Sequence, residues 1–164
     1  MKISVAMAYY NGGTYIEEQM DSILSQLGEK DEVIVSIDGA SDGSKPLLLS
    51  EVDSRIHIVK GPGKGVVRNF ENAIRHCNGD IIYLSDQDDI WKPDKVEKVN
   101  YAFSNPEVKA VLHDAEIVDD RSGKPFFYKG KPGWDFEKSS EKQLCGMLHG
   151  ISQRIDSHYF PYSK

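Results

Sequence analysis

The sequence predicts an α/β domain built on a mostly parallel sheet with helices on both faces. Short apolar runs of strand length alternate with stretches whose apolar residues recur at helical spacing, the pattern of repeated strand–helix–strand units. Each apolar run gives way to a loop rich in glycine, aspartate and serine. The chain has 164 residues, 39% hydrophobic and 28% charged, which is about one globular domain's worth of chain.

Ile3 to Ala8 is a buried-strand run that ends in Tyr9-Tyr10-Asn11-Gly12-Gly13, a turn-forming cluster. From Thr14 onward Ile16, Met20, Ile23, Leu24 and Leu27 mark one helical face, and Gly28 is the expected stop. Asp31 to Ile37 reads as the second strand and leads into Asp38-Gly39-Ala40-Ser41-Asp42-Gly43, dense in turn residues. A weaker helix is placed near Pro46 to Val52. Arg55 to Val59 alternates as a third strand, Lys60 to Gly65 is a glycine-rich loop, and Val66 to His76 is helical in pattern. Asp80 to Leu84 is the fourth strand, followed by Ser85-Asp86-Gln87-Asp88-Asp89 and a helix from Pro93 to about Phe103. Val108 to His113 is read as a fifth strand, with a hairpin from Ala115–Val118 to Phe126–Tyr128 across Arg121 to Lys124. From Lys129 the pattern dissolves into one weak apolar cluster, Leu144, Met147, Leu148 and Ile151, with no clear strand.

Charge narrows the function classes. With 20 basic and 26 acidic residues the net charge is −6, the wrong sign for sequence-independent binding to nucleic acid. Cys77 and Cys145 are too few for a disulfide framework or a four-thiolate metal site. No stretch approaches the ~18 consecutive apolar residues of a membrane span, so a cytoplasmic protein is expected. His57, His76, His113, His149 and His158 form no HExxH pair, and no GxSxG elbow is present, which argues against a zincin or a serine hydrolase.

The chemistry gathers at the strand ends, where open parallel sheets bind ligands. Residues 80–120 hold 11 acidic groups against 4 basic ones. Within them DQDD crowds carboxylates at the end of an apolar strand, a repulsion that a divalent cation relieves. Oxygen ligands suit magnesium or manganese, and magnesium favours few carboxylates plus substrate phosphate oxygens. An acidic turn capping the next helix through Asp89 or Asp94 is the alternative. Asp38 is placed to meet a nucleobase or ribose, or else forms an Asx-turn. Gly61, Gly63 and Gly65 match neither GxGxxG nor a P-loop. Arg68 lies in a helix's first turn, where backbone amides can face phosphate, though an arginine there is more often simply an exposed surface residue. Trp91 and Trp134 read as packing residues more readily than as a sugar platform.

Taken in order, SVAMAYYNGGTYIEEQMDSILSQ, DEVIVSIDGASDGS, GVVRNFENAI and GDIIYLSDQDDIWKPDKVEK resemble the N-terminal half of a bacterial family 2 glycosyltransferase of the rhamnosyltransferase-like kind. The likeness spans residues 2 to about 128. It implies a GT-A fold that binds a nucleotide diphosphate sugar, UDP- or dTDP-linked, and a divalent metal, magnesium or manganese. The implied nucleotide-sugar contacts are Ala8, Tyr10, Asn11, Asp38, Gly65, Arg68, Asn69, Asp86 and Gln87. Asp38 matches the aspartate that binds the base, Arg68 and Asn69 an "RN" pair, and Asp86-Gln87-Asp88 a metal-binding DxD with Asp88 the main ligand and Asp86 the second. The implied reaction is an inverting displacement in which an acceptor hydroxyl attacks C1 while the metal carries charge on the leaving diphosphate.

The sequence departs from the family pattern in two places. The usual Asp-Asp-Gly-Ser after the second strand is Ile37-Asp38-Gly39-Ala40 here. The family's second half, with the acceptor site and catalytic aspartate, is not recognised after Gly133, so no catalytic base is assigned; Asp114 resembles only a position near the sugar. The expected organisation is a partial nucleotide-sugar-binding domain over 1–128 and an irregular tail over 129–164, truncated or frameshifted. The expected partners are the donor and a saccharide or lipid-linked acceptor of the cell envelope, with peripheral contact at the inner face of the plasma membrane. Uncovered apolar surface would favour a homodimer. A nucleotide-binding module or inactive remnant is the competing reading. A nucleotidyltransferase is disfavoured because VAMAYYNGGTY lacks a glycine-rich basic signature.

Overall fold

The computed structural model describes residues 1–13, 15–39, 49–111, 113, 116–118, 125–127 and 151–152. Strands β1 (Ile3–Tyr9), β2 (Glu32–Ile37), β3 (Ile56–Lys60) and β4 (Ile81–Ser85) alternate with helices α1 (Ile16–Leu24), α2 (Val66–His76) and α3 (Lys95–Phe103). The sheet runs β3-β2-β1-β4 with all four strands parallel, and β7 (Ile151–Ser152) adds antiparallel to β4. The α/β architecture with a mostly parallel sheet is therefore the one expected from the alternation.

Alternation within each strand divides the apolar side chains between two layers. Ile3, Val5, Met7, Tyr9, Val33, Val35, Ile81 and Tyr83 face Ile16, Met20 and Ile23 of α1 and Val96, Val99 and Phe103 of α3. On the other face Ala6, Ile34 and Ile82 meet Ala73 and Cys77 at the end of α2. Both faces of β1 are covered, so all seven of its residues are buried, as a central parallel strand requires. Burial pushes the Cys77 thiol up to about 12, which keeps it in the protonated form at neutral pH.

The amino-terminal edge of the sheet is tied by polar side chains. Glu32 is buried and accepts hydrogen bonds from Lys2 Nζ, Ser4 Oγ and the Asn78 amide. Ser4 Oγ in turn accepts from the Gly79 amide at 2.7 Å. Gly79 is glycine for a steric reason, since an added Cβ would lie 2.6 Å from the Ser4 nitrogen.

Several boundaries differ from the sequence expectation. α1 stops at Leu24, ahead of Gly28, because Arg55 of the β3 approach donates to the carbonyls of Leu24 and Leu27. That guanidinium satisfies the orphan carbonyls a glycine cap would otherwise serve. Of the weak helix at Pro46 to Val52, residues 49–52 are helical; the rest lies outside the described residues. Val108 to His113, of which residue 112 lies outside the described residues, shows a single bridge at Ala110 among the described ones, in place of the expected strand. Its apolar residues Val108 and Val111 pack on the core as partly buried loop residues instead, a role apolarity alone cannot distinguish from a strand. The hairpin is present, with β5 (Glu116–Val118) antiparallel to β6 (Pro125–Phe127). β7 has no counterpart in the sequence reading, because two residues are too few to show a period.

Candidate functional site

Strand register brings the polar loops to one level. Tyr9 pairs with Ile37, Ile37 with Lys60, and Met7 with Ser85, so Tyr10, Asp38, Gly61 and Asp86 all emerge at the carboxyl edge. There they enclose a cleft of about 650 Å³ lined by Ala8, Tyr9, Tyr10, Asp38, Gly63, Gly65, Val66, Asn69, Asp86, Gln87 and Asp88. This is the place where an open parallel sheet receives ligands. Eight residues singled out in the sequence line it: Ala8, Tyr10, Asp38, Gly65, Asn69, Asp86, Gln87 and Asp88. Asn11 and Arg68 are not among the lining residues. Asn11 shapes the turn with φ of 51°, a left-handed conformation that asparagine tolerates. Arg68 is exposed and pairs with Glu71 one turn away.

Asp38 is 8% exposed. Its carboxylate accepts from the backbone amides of Gly63 and Gly65, the latter at 3.2 Å. Both glycines have positive φ, 67° and 84°, which lets the loop curl its amides toward the carboxylate. The loop's third glycine is steric: a Cβ on Gly61 would lie 2.7 Å from the Ile37 carbonyl oxygen.

Asn69, one turn into α2, is 2% exposed. Its amide donates to the carbonyls of Ser36 at 2.8 Å and Tyr9 at 3.3 Å, bridging the ends of β2 and β1. Its Oδ1 is buried with no partner among the described residues. Asn72 repeats the tie, donating to Ser36 Oγ and the Lys60 carbonyl.

The acid loop is held from two sides. Gln19, buried on the apolar face of α1, donates to Ser85 Oγ at 2.7 Å and to the Asp86 carbonyl at 3.2 Å. Gln87 accepts from the Tyr10 amide at 2.8 Å and donates to the Tyr10 carbonyl at 3.1 Å. Farther along, Trp91 is 4% exposed and its ring centroid lies 5.3 Å from that of Tyr83, which makes it a packing residue. Lys95 Nζ sits 4.1 Å above the Trp91 ring, and burial depresses its ammonium to about 8, against the opposing pull of Asp89. The capping alternative for the acidic run is not realised at Asp94: it occupies the N-cap of α3 with no side-chain cap bond and pairs with Lys98. Asp114 and Trp134 lie outside the described residues.

Gln19 escaped the sequence reading. Its signal was present, since position 19 shares the apolar helical face of Ile16, Met20 and Ile23, and a polar residue there needs a buried partner.

Among the described residues lining the cleft, three are carboxylates and none is basic. No group of three or more His, Cys, Asp or Glu side chains among the described residues forms a ready-made metal set. Asp86 and Asp88 bring carboxylates, which are hard oxygen donors, to the cleft. That donor chemistry suits a magnesium-like ion completed by ligand phosphates and water.

The family model for glycosyl transferase family 2 matches residues 4–160. The chain belongs to that family. The match continues past residue 128, where the motif resemblance ends. Among curated relatives, a glycosyltransferase of Rickettsia typhi, itself uncharacterized, is 28% identical over 164 residues, covering 96% of this chain and 51% of the relative. Glycosyltransferase GlyG of Streptococcus pneumoniae is 28% identical over 129 residues, covering 77% of this chain and 43% of the relative. TuaG of Bacillus subtilis, whose name assigns it provisionally to teichuronic acid biosynthesis, is 36% identical over 101 residues, covering 58% and 39%. The chain thus spans about half or less of the length of these family members. Solved structures share the fold. The mannosyltransferase PcManGT of Pyrobaculum calidifontis, in complex with GDP-Man and Mn2+, superposes with a TM-score of 0.59 at 24% identity over 68% of this chain and 35% of that one. S. aureus TarS with UDP-GlcNAc gives 0.53 at 22% over 63% and 31%. The fold is accordingly of the GT-A glycosyltransferase kind. Among the described residues no helix is long and apolar enough to cross a membrane.

Proposed function

We propose that this chain forms the donor site of a glycosyltransferase that moves a sugar from a nucleotide diphosphate to a saccharide or lipid-linked acceptor. The observation that carries the reading is the convergence of Tyr10, Asp38, Asp86 and Asp88, from three separate strand ends, on one cleft. Asp38, with two lone-pair directions still open after its bonds to Gly63 and Gly65, meets the base of a UDP or dTDP donor. Tyr10, 61% exposed at the rim, offers a ring to stack against it. Asp88 and Asp86 hold a divalent ion, manganese or magnesium, whose chemistry is to neutralise the diphosphate as it leaves. In an inverting transfer an acceptor hydroxyl would attack C1 as the bond from C1 to the diphosphate breaks, its proton passing to a base not assigned among these residues. The metal in PcManGT and the nucleotide sugars in both solved neighbours support the donor class. The name of TuaG, which points to teichuronic acid biosynthesis, supports a polysaccharide acceptor.

A nucleotide-binding module without transfer is the second reading. It is favoured by the cleft itself, since among its described lining residues each aspartate has a donor-side task and no histidine or glutamate is present to act as base. Calorimetric titration with UDP and dTDP, with and without manganese, tests the site. Manganese should tighten binding, and Asp88→Ala should weaken the manganese-dependent complex at least about tenfold, the loss of one charge-assisted contact. Metal-independent binding that survives Asp88→Ala would refute the metal assignment, and absence of binding by folded protein would refute the donor site. Saturable binding without hydrolysis or transfer of any nucleotide sugar would favour the module.

A further inference from the structure

We propose that Gln87 is a positioning residue: its amide latches the acid loop to the Tyr10 loop, so that the base-side and metal-side halves of the cleft behave as one unit. The inference rests on the donor-site reading and refines it, because it removes the Gln87 side chain from the ligand contacts. The middle residue of Asp86-Gln87-Asp88 spends both ends of its amide on a single residue 77 positions earlier, Oε1 on the Tyr10 N–H and Nε2 on the Tyr10 carbonyl. A primary amide is suited to this, since it presents one acceptor and one donor side by side, as a paired strand would. Glutamate offers no donor, and leucine offers neither. The backbone group so engaged belongs to a loop that has left the sheet, and no neighbouring strand among the described residues pairs with Tyr10.

A second, independent observation is steric. Gly12 is packed against the same amide: a Cβ there would lie 2.5 Å from Gln87 Cδ, 2.7 Å from Oε1 and 2.9 Å from Nε2. Contacts that short do not occur, so any larger residue at position 12 displaces the latch. Glycine at 12 therefore leaves the room that the Gln87 amide occupies. On the far side of the acid loop Gln19 grips Ser85 Oγ and the Asp86 carbonyl. Asp86 is thereby fixed from α1, and the turn carrying Asp88 is fixed from the β1 loop. A carboxylate pair meant to share a cation with a ligand's phosphates gains from this arrangement, because the ligand need not order the loop on arrival.

The test compares Gln87→Ala, Gly12→Ala and the double variant with the parent chain. Without ligand, the Tyr10 amide should exchange about tenfold faster in each single variant, the effect of losing two hydrogen bonds of ordinary worth, while core amides such as Val5 and Val35 keep their protection. With ligand, the factor by which manganese tightens UDP binding should fall about tenfold while metal-free UDP affinity changes less than about twofold. Adding Gly12→Ala to Gln87→Ala should do no further harm, because its target is gone. Unchanged Tyr10 exchange in both singles, or strictly additive effects in the double variant, would overturn the latch. Should one single variant fail to fold, the other carries the same readouts. If the parent chain binds no UDP with manganese, the donor-site reading fails on that result alone, while the ligand-free exchange still decides whether the latch exists.

Discussion

Asn69 is the position where the two roles of the cleft wall separate most cleanly by experiment. Its amide donates to the Ser36 carbonyl at 2.8 Å and to the Tyr9 carbonyl at 3.3 Å. The Tyr9 carbonyl also receives the Asp38 amide at 3.0 Å, so removing Asn69 does not orphan it. The loss therefore falls on the shorter bond, on the packing of a side chain 2% exposed, and on whatever solvation Ser36 regains. One buried hydrogen bond contributes ~1 kcal/mol, and truncating a buried side chain adds a packing loss of about the same size. Against this, Ala at 69 eliminates the buried Oδ1 that has no partner among the described residues, which returns part of the cost. Asn69→Ala is expected to destabilise the fold by about 2 kcal/mol, or roughly 4–8 °C in Tm for a domain of this size. Asn69→Asp should cost more, since it deletes both donated bonds and sets a carboxylate oxygen against the Ser36 carbonyl. Thermal and urea unfolding measure both, and calorimetry with UDP follows binding in the same samples. If Asn69→Ala leaves stability within about 0.5 kcal/mol of the parent yet lowers nucleotide affinity tenfold, the side chain serves the ligand and the brace reasoning is wrong.

Two further expectations concern pH. Burial raises the Glu32 carboxyl, but hydrogen bonds from Lys2, Ser4 and the Asn78 amide outweigh it and hold the group below its ordinary value. Its contribution is thus present above the ordinary glutamate range and is lost as pH falls through the lowered native value; Glu32→Gln should show a smaller drop in urea midpoint between pH 6 and pH 3, and an identical drop would discount the cluster. Burial depresses the Lys95 ammonium to about 8 despite Asp89, so the folded state sheds its proton before the unfolded chain does. Stability should rise with pH from about 8 toward the ordinary lysine value. In a Trp134→Phe background, Trp91 fluorescence should titrate near pH 8 because Nζ lies 4.1 Å from the ring. Lys95→Met should abolish that titration, and its persistence would assign it to another group.

The sequence by itself determined the elements and the kind of chemistry. Runs such as ISVAMA and DEVIVSI are legible as strands because burial on both faces demands apolar residues at every position. The 3.6-residue recurrence of Ile16, Met20 and Ile23 is equally local, as is the gathering of Asp38, Asp86 and Asp88 behind strands. The DQDD run marked the acidic end of the site because carboxylate crowding is visible without any fold. Order in space is another matter. That β1 lies between β2 and β4 follows from packing among strands of near-identical apolarity, and nothing in one strand's composition names its neighbour.

Tertiary structure also decided what each polar side chain is for. Gln87 and Tyr10 are 77 residues apart, Asn69 and Tyr9 60, and Gln19 and Ser85 66. A hydrogen-bonding group in sequence has a capacity but no partner, and its partner is set only when the chain brings a complementary atom to within 3 Å or so. The same holds for endings: α1 stops at Leu24 because Arg55, far along the chain, reaches its carbonyls. Val108 and Val111 read as strand residues because apolarity reports burial, and burial alone does not say whether the residue sits in a strand or in a loop packed on the core.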